Sequence, residues 1–116
     1  MKLTLRQVAE WVNGELHGGK AARETYIYGV GTDSREDLSG RLFIPLIGER
    51  FDGHNFIAEA FRRGAVCCLT ERDIKQHNNF KIKVLSVREA MLRLAERYKA
   101  SVGVKSAAIT GSVGKT

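Results

Sequence analysis

The sequence has little of what holds small or unusual folds together, since its 116 residues include two cysteines and one proline. Cys67 and Cys68 are neighbours in an apolar stretch, which favours a buried strand over a disulfide or a metal site. Long apolar runs are also missing, and a membrane-spanning helix needs about 20 such residues. We therefore predict a globular domain without a membrane span.

Features of a secretory signal are missing as well. The opening MKLTLRQVAEWV is amphipathic, carries Glu10 and offers no small-residue cleavage site. We therefore expect a cytoplasmic protein, and we expect it to act as a monomer.

A basic run is also absent, although 19 Lys and Arg against 13 Asp and Glu give a net charge of +6. The basic residues are scattered, with no run of four and no stripe of interleaved aromatics. This pattern favours a solvated basic surface over a nucleic-acid face. A nucleic-acid-binding domain stays an alternative, which predicts salt-dependent binding to oligonucleotides.

Hydrophobic periodicity predicts strands that alternate with helices. Capping-box pairs, Thr4 with Gln7 and Ser86 with Glu89, mark two helix starts. Asn55 is the predicted cap of another helix, and Pro45 predicts an edge strand or a bulge. The predicted helices span residues 5–13, 56–63 and 87–100, and the predicted strands span 15–17, 26–30, 41–47, 65–70, 81–85 and 105–110. Such alternation is typical of a layered α/β/α fold.

The last predicted strand leads into GSVGKT, which has the pattern of a phosphate-binding loop. Glycines allow successive backbone amides to surround an anion. Lys115 is the candidate catalytic group on the outer phosphates of ATP, and the Thr116 hydroxyl is the candidate Mg²⁺ ligand. The predicted ATP-binding residues are Gly111, Ser112, Val113, Gly114, Lys115 and Thr116.

Three upstream segments, TDSR at 32–35, GRLF at 40–43 and FDGHNFI at 51–57, precede this loop. In this order they resemble the N-terminal region of the Mur ligases, the ATP-dependent amide-forming enzymes of peptidoglycan precursor synthesis. The resemblance covers essentially the whole chain. It implies a UDP-substrate domain at 1–85 and the start of an ATP-binding domain at 86–116. We accordingly expect a piece of a longer enzyme that is inactive alone.

The resemblance also implies substrates. UDP-N-acetylmuramoyl-tripeptide would be activated by ATP and Mg²⁺ to an acyl phosphate, which an incoming amine attacks. The segment spellings look most like those of the member that adds D-alanyl-D-alanine. The member that adds the third residue of the peptide is one alternative, and a non-catalytic nucleotide-binding module is another.

Two segments carry the implied binding site for the UDP-substrate. They contain Thr32, Asp33, Ser34 and Arg35, and then Phe51, Asp52, Gly53 and His54. The planar fork of Arg35 suits a phosphate, although an ion pair with Asp37 or Glu36 is the alternative. Asp33 is predicted to fold its own turn. For Phe51, packing on a uracil ring and packing in the core are equal alternatives. For His54, a structural role and a contact with the sugar of the substrate are both alternatives.

Overall fold

Short strands alternate with helices throughout the computed structural model, which describes residues 2–48, 52–72 and 80–110, with side chains up to Ser101. The strands are β1 Leu3–Thr4, β2 Glu15–His17, β3 Tyr26–Ile27, β4 Val30–Gly31, β5 Leu42–Phe43, β6 Cys67–Thr70 and β7 Phe80–Lys83. The helices are α1 Leu5–Val12, α2 Gly19–Arg23, α3 Ile57–Arg62 and α4 Val87–Thr110, and a 3₁₀ helix at Gly53–Phe56 precedes α3.

Five strands form one sheet in the order β2-β7-β6-β5-β4. Strands β4 to β7 are parallel, β2 is antiparallel to β7, and β1 pairs with β3 in a separate small sheet. The carboxyl ends of the four parallel strands therefore meet at one edge, where ligands commonly bind in open α/β sheets.

The central strands are buried on both faces, as parallel strands usually are. Leu42 and Cys67 point into the core that α1 and α4 cover, whereas Phe43 and Cys68 point into the core that α3 covers. This alternation places helices on both faces of the sheet. The α/β prediction and the prediction of a buried cysteine strand are confirmed, and both cysteines are free thiols.

The predicted capping box at the start of α1 is present. The Thr4 Oγ1 accepts the Gln7 backbone N–H at 3.1 Å, and the Gln7 Oε1 accepts the Thr4 backbone N–H at 3.0 Å. The helix ends at Val12 and is capped by Asn13, whose φ of 56° is left-handed. Gly14 follows where a Cβ would lie 2.5 Å from Cγ2 of Ile82, so the chain turns closely against β7.

Several predicted boundaries were wrong. The predicted strand 26–30 is two strands in two different sheets, β3 and β4. The predicted strand 41–47 ends at Phe43, before Pro45, and is interior to the sheet, so Pro45 marks neither an edge nor a bulge within a strand. Helix α2 was not predicted, because Gly18 precedes it and Gly19 is its first residue, and glycine weakens any helical pattern.

Asn55 was also wrongly predicted as a helix cap. The cap is Asp52, whose side chain accepts the His54 backbone N–H at the start of the 3₁₀ helix. The chain therefore begins to coil three residues earlier than the hydrophobic pattern indicates, because an Asx-type bond organises this turn.

The predicted strand 105–110 was wrong, since α4 continues to Thr110. A strand needs a neighbour for its backbone groups, whereas a helix satisfies its own, and the sheet of the described residues has its edges at β2 and β4. The start of α4 agrees with the prediction, because the Ser86 Oγ accepts the Glu89 N–H at 3.2 Å. The GSVGKT motif lies outside the described residues.

None of the helices in the described part of the chain combines the length and apolar character that crossing a membrane requires.

Thr4→Ala should destabilise the fold by about 1 kcal/mol, the usual effect of losing an N-cap side chain. The measurement is the free energy of unfolding from urea titration. Thr32→Ala, at an exposed position beyond β4, serves as the control and should change that free energy by less than about 0.5 kcal/mol. Equal effects of the two substitutions would contradict the capping role.

Both cysteines should resist thiol reagents in the folded protein. Burial raises the pKa of the Cys68 thiol to about 12 and raises the pKa of Cys67 as well, so little thiolate forms at neutral pH. Reaction with a chromogenic disulfide should be complete in urea and far slower in buffer. Rapid modification of folded protein would contradict the buried placement.

Candidate functional site

A cleft of about 740 Å³ opens where the carboxyl ends of β4 and β5 face the start of α3. One wall is the turn after β4, and the other is formed by the 3₁₀ helix and α3. The lining residues are Thr32, Asp33, Ser34, Arg35, Phe43, Asn55, Phe56, Ala58, Glu59 and Arg62. Its size suits a ligand the size of a nucleotide or drug.

The first wall is organised by Asp33. Its Oδ1 accepts the Arg35 backbone N–H at 2.9 Å, which closes the turn as predicted. The Arg35 side chain returns to the same carboxylate, with Nε and Nη2 each at 3.1 Å from an oxygen. The side-chain bond from Arg35 lowers the pKa of Asp33. Thus Arg35 pairs with Asp33, and Asp37 instead binds Ser39.

Hydroxyl groups and an exposed guanidinium are the hydrogen-bonding groups of this wall. Ser34 is buried, with 7% of its surface exposed, whereas the Arg35 side chain is 84% exposed. A hydroxyl both donates and accepts, and a guanidinium has five N–H donors. Since Asp33 engages two of the donors of Arg35, further N–H groups remain for an anion.

The second wall carries another paired arginine. The Glu59 carboxylate accepts from Arg62 Nη2 at 2.5 Å and from Arg63 Nε at 3.0 Å. These bonds, first that from Arg62, lower the pKa of Glu59. Phe56 adds an exposed aromatic side chain beside them. The cleft therefore offers two guanidinium groups and an aromatic surface, which suits an anion joined to a planar ring.

The Asp52–His54 segment lies next to the cleft but does not line it. The Asp52 Oδ1 accepts both the His54 backbone N–H at 2.9 Å and the ring Nδ1–H at 2.8 Å. On the other side of the ring, Nε2 accepts the Glu71 backbone N–H at 3.0 Å. The His54 side chain is 2% exposed, and the Arg72 guanidinium donates to the other Asp52 oxygen.

Gly53 permits a close backbone crossing beneath this network. Its N–H donates to the Leu46 carbonyl at 2.6 Å. A Cβ at this position would lie 2.7 Å from both the Leu46 nitrogen and the Pro45 Cα. Only glycine avoids this overlap without a shift of the backbone, which explains the Asp-Gly pair in physical terms.

The structure thus brings Thr32, Asp33, Ser34 and Arg35 together in the cleft and places Asp52, Gly53 and His54 beside it. Phe51 lies outside the described residues, as do all six residues from Gly111 to Thr116, including Lys115. Within the described chain, no cluster of three or more His, Cys, Asp and Glu side chains could hold a metal ion.

Sequence reasoning missed the second wall of the cleft. Asn55, Ala58, Glu59 and Arg62 recur at helical spacing of three and four residues. The spacing of the polar members of this face, Asn55, Glu59 and Arg62, was visible in the sequence, but no binding role was predicted for it. Arg72 was missed as well, because its partner lies twenty positions earlier in the chain.

Comparison with known proteins identifies a family for this sequence. The sequence matches the family described as "Mur ligase family, catalytic domain" over residues 26–99. One relative is a UDP-N-acetylmuramoyl-tripeptide--D-alanyl-D-alanine ligase of Bacillus subtilis (strain 168). It is 39% identical over all of this chain and 26% of its own length. Another is a UDP-N-acetylmuramoyl-L-alanyl-D-glutamate--2,6-diaminopimelate ligase of Geobacter sulfurreducens, which is 38% identical over 98% of this chain and 23% of its own length.

A solved structure agrees with the sequence matches. The crystal structure of MurF from Acinetobacter baumannii superimposes with a TM-score of 0.78 at 31% identity, over 90% of this chain and 22% of that one. The chain thus spans about a quarter of the length of the proteins that it matches.

Asp52→Asn should make the free energy of unfolding fall less steeply as the pH is lowered. Hydrogen bonds to the carboxylate, first that from the His54 backbone N–H, lower the pKa of Asp52 in the folded protein. Their stabilisation is present above the unfolded pKa of about 3.9 and is lost as the pH falls through the lower folded value. Urea midpoints measured from neutral pH down through this window should fall less steeply for the variant.

Glu96→Gln is the control for this experiment, since Glu96 is exposed on α4. It should leave the pH slope as in the unsubstituted chain. An Asp52→Asn slope equal to that of the unsubstituted chain would show that the carboxylate contributes nothing in its charged form.

Proposed function

Since the chain belongs to the Mur ligase family, we propose that its cleft binds the UDP end of a UDP-N-acetylmuramoyl peptide. The observation that carries the proposal is the junction of the Thr32–Arg35 turn with the polar face of α3 around one cleft of about 740 Å³. The same turn contains the residues for which the sequence resemblance implies contact with this substrate.

The chemistry of the walls supports this ligand. Arg35 and Arg62 present N–H groups that match phosphate oxygens. The hydroxyls of Thr32 and Ser34 suit a diphosphate or a uracil edge. Phe56, with 39% of its surface exposed, offers a surface on which a uracil ring packs. In this proposal Asp52, Gly53 and His54 belong to the site by shaping it.

For the whole protein we propose an ATP-dependent ligase that adds D-alanyl-D-alanine to UDP-N-acetylmuramoyl-tripeptide. The γ-phosphoryl group of ATP passes to the terminal carboxylate of the peptide, which forms an acyl phosphate and ADP. The amine of the dipeptide attacks the carbonyl carbon, the amide bond forms and phosphate leaves. Lys115 would stabilise the transferred phosphoryl group, and Thr116 would hold Mg²⁺.

In this proposal residues 1–85 form the UDP-substrate domain and residues 86–116 begin the ATP-binding domain, with ATP on the Gly111–Thr116 loop. The chain spans about a quarter of its relatives, so we expect it to turn over no ATP by itself. Measurable ATP hydrolysis by the purified 116-residue chain would contradict this.

The ligase that adds the third residue is the second candidate. Identities of 39% to the D-alanyl-D-alanine ligase and 38% to the diaminopimelate ligase do not separate the two. The discriminating assay offers the complete enzyme either the tripeptide substrate with D-alanyl-D-alanine or the dipeptide substrate with the third amino acid. Formation of product from the second pair alone would replace the first proposal.

Binding to the cleft is testable by amide chemical-shift titration of the chain with UDP-N-acetylmuramic acid. Shifts should concentrate in Thr32–Arg35 and in Asn55–Arg62. Arg35→Gln should weaken binding about tenfold, because a hydrogen bond to a charged group contributes about 1.5–3 kcal/mol. Arg88→Gln, at an exposed position on α4, is the matched control and should bind normally.

ATP and a short oligonucleotide complete the titration. Shifts in the cleft with the UDP ligand but not with the oligonucleotide would support the proposal. A folded chain that responds only to the oligonucleotide would favour the nucleic-acid alternative. Equal losses in Arg35→Gln and Arg88→Gln would mean that binding reports overall charge.

A further inference from the structure

We infer that His54 is a positioning residue, which fixes the Asn55–Phe56 wall of the cleft to the end of strand β6 through the Glu71 amide. The His54 side chain does not itself line the cleft. The ligand-binding readout of its role rests on the proposed function, whereas the geometric readout does not.

The His54 ring has no nitrogen left for a ligand. It is 2% exposed, and Nδ1 and Nε2 both lie within hydrogen-bond distance of protein atoms. Since Nε2 accepts the Glu71 N–H, the hydrogen of the neutral ring is on Nδ1 and is donated to Asp52. A ring engaged on both sides holds one orientation and offers no site for general acid–base chemistry.

The two bonds of the ring join segments that are far apart in sequence. Asp52 belongs to the same turn as His54, but Glu71 lies seventeen positions later, directly after β6. The Glu71 carboxylate in turn accepts the Val87 N–H at 2.7 Å, at the first turn of α4. His54 therefore links the 3₁₀ helix to the sheet edge and, through Glu71, to α4.

The next two residues after His54 form part of the cleft wall. Asn55 and Phe56 line the cleft and are exposed, so contacts of their own side chains do not bury them. Several contacts hold the backbone here, among them Gly53 against Leu46, Asn55 against the Asp52 carbonyl and His54 against Glu71. Loss of the bond to Nε2 would leave the Glu71 amide without this partner. The Asn55–Phe56 wall of the cleft would then no longer be fixed to the end of β6.

Two substitutions separate the two bonds of the ring. In His54→Gln the side-chain oxygen reaches the region of Nε2 and accepts the Glu71 N–H. In His54→Asn the amide group reaches only the region of Nδ1, so the bond to Glu71 is lost. His17→Gln is the matched control, because His17 lies on the edge strand β2 and pairs with Glu15.

Amide hydrogen exchange at Asn55, Phe56 and Glu71 should be about tenfold faster in His54→Asn, for the loss of one hydrogen bond. UDP-N-acetylmuramic acid should bind that variant about tenfold more weakly. His54→Gln should recover most of both effects, and His17→Gln should show neither.

Each outcome decides the inference. Unchanged exchange in His54→Asn, or no recovery in His54→Gln, would overturn it. If the unsubstituted chain binds no UDP ligand while exchange follows the expected order, the proposed function fails and the positioning role stands. If His54→Asn does not fold, the test is the ¹⁵N–¹⁵N coupling across the Glu71 N–H···Nε2 bond in the unsubstituted chain, and its absence would overturn the inference.

Discussion

The parallel pairing of β4, β5, β6 and β7 is the constraint on which the candidate site depends. Parallel strands end at the same edge of a sheet, so the segments that follow them are brought together although they are distant in sequence. The Thr32–Arg35 turn follows β4, Pro45 and Leu46 follow β5, and Glu71 follows β6. This pairing requires cover on both faces, which explains why Leu42, Phe43 and both cysteines are buried.

Loops between the strands expose peptide groups that no strand satisfies, and aspartate side chains satisfy several of them. At three places in the described residues an aspartate accepts the backbone N–H of the residue two positions later, and bonds to that same residue lower the pKa of each aspartate. The three pairs are Asp33 with Arg35, Asp37 with Ser39, and Asp52 with His54. These carboxylates therefore hold the loops in shape, and hydroxyl and guanidinium groups face the cleft.

Local rules account for what the sequence made predictable. The capping box of Thr4, the apolar run around Cys67 and the Asp33 turn each depend on a few neighbouring residues, and all three predictions are confirmed. The features that were not predicted depend on contacts between segments that only the folded chain brings together. The division of residues 26–30 between two sheets, the bond from Glu71 to His54 and the extension of α4 to Thr110 depend on which segments meet in space, which no short window of sequence contains.

The charge of the cleft shows how binding would be selective in a chain with a net charge of +6. Asp33 pairs with Arg35 and Glu59 with Arg62, so the charges that line the cleft sum to zero, although Glu59 also pairs with Arg63 beside it. Scattered surface charges act only within a Debye length, about 8 Å at physiological salt. Attraction of any polyanion by overall charge is therefore weak at this site. A guanidinium already held by a carboxylate loses less freedom when it binds an anion. In the proposed function, the fixed directions of its remaining N–H groups would therefore select the ligand by shape.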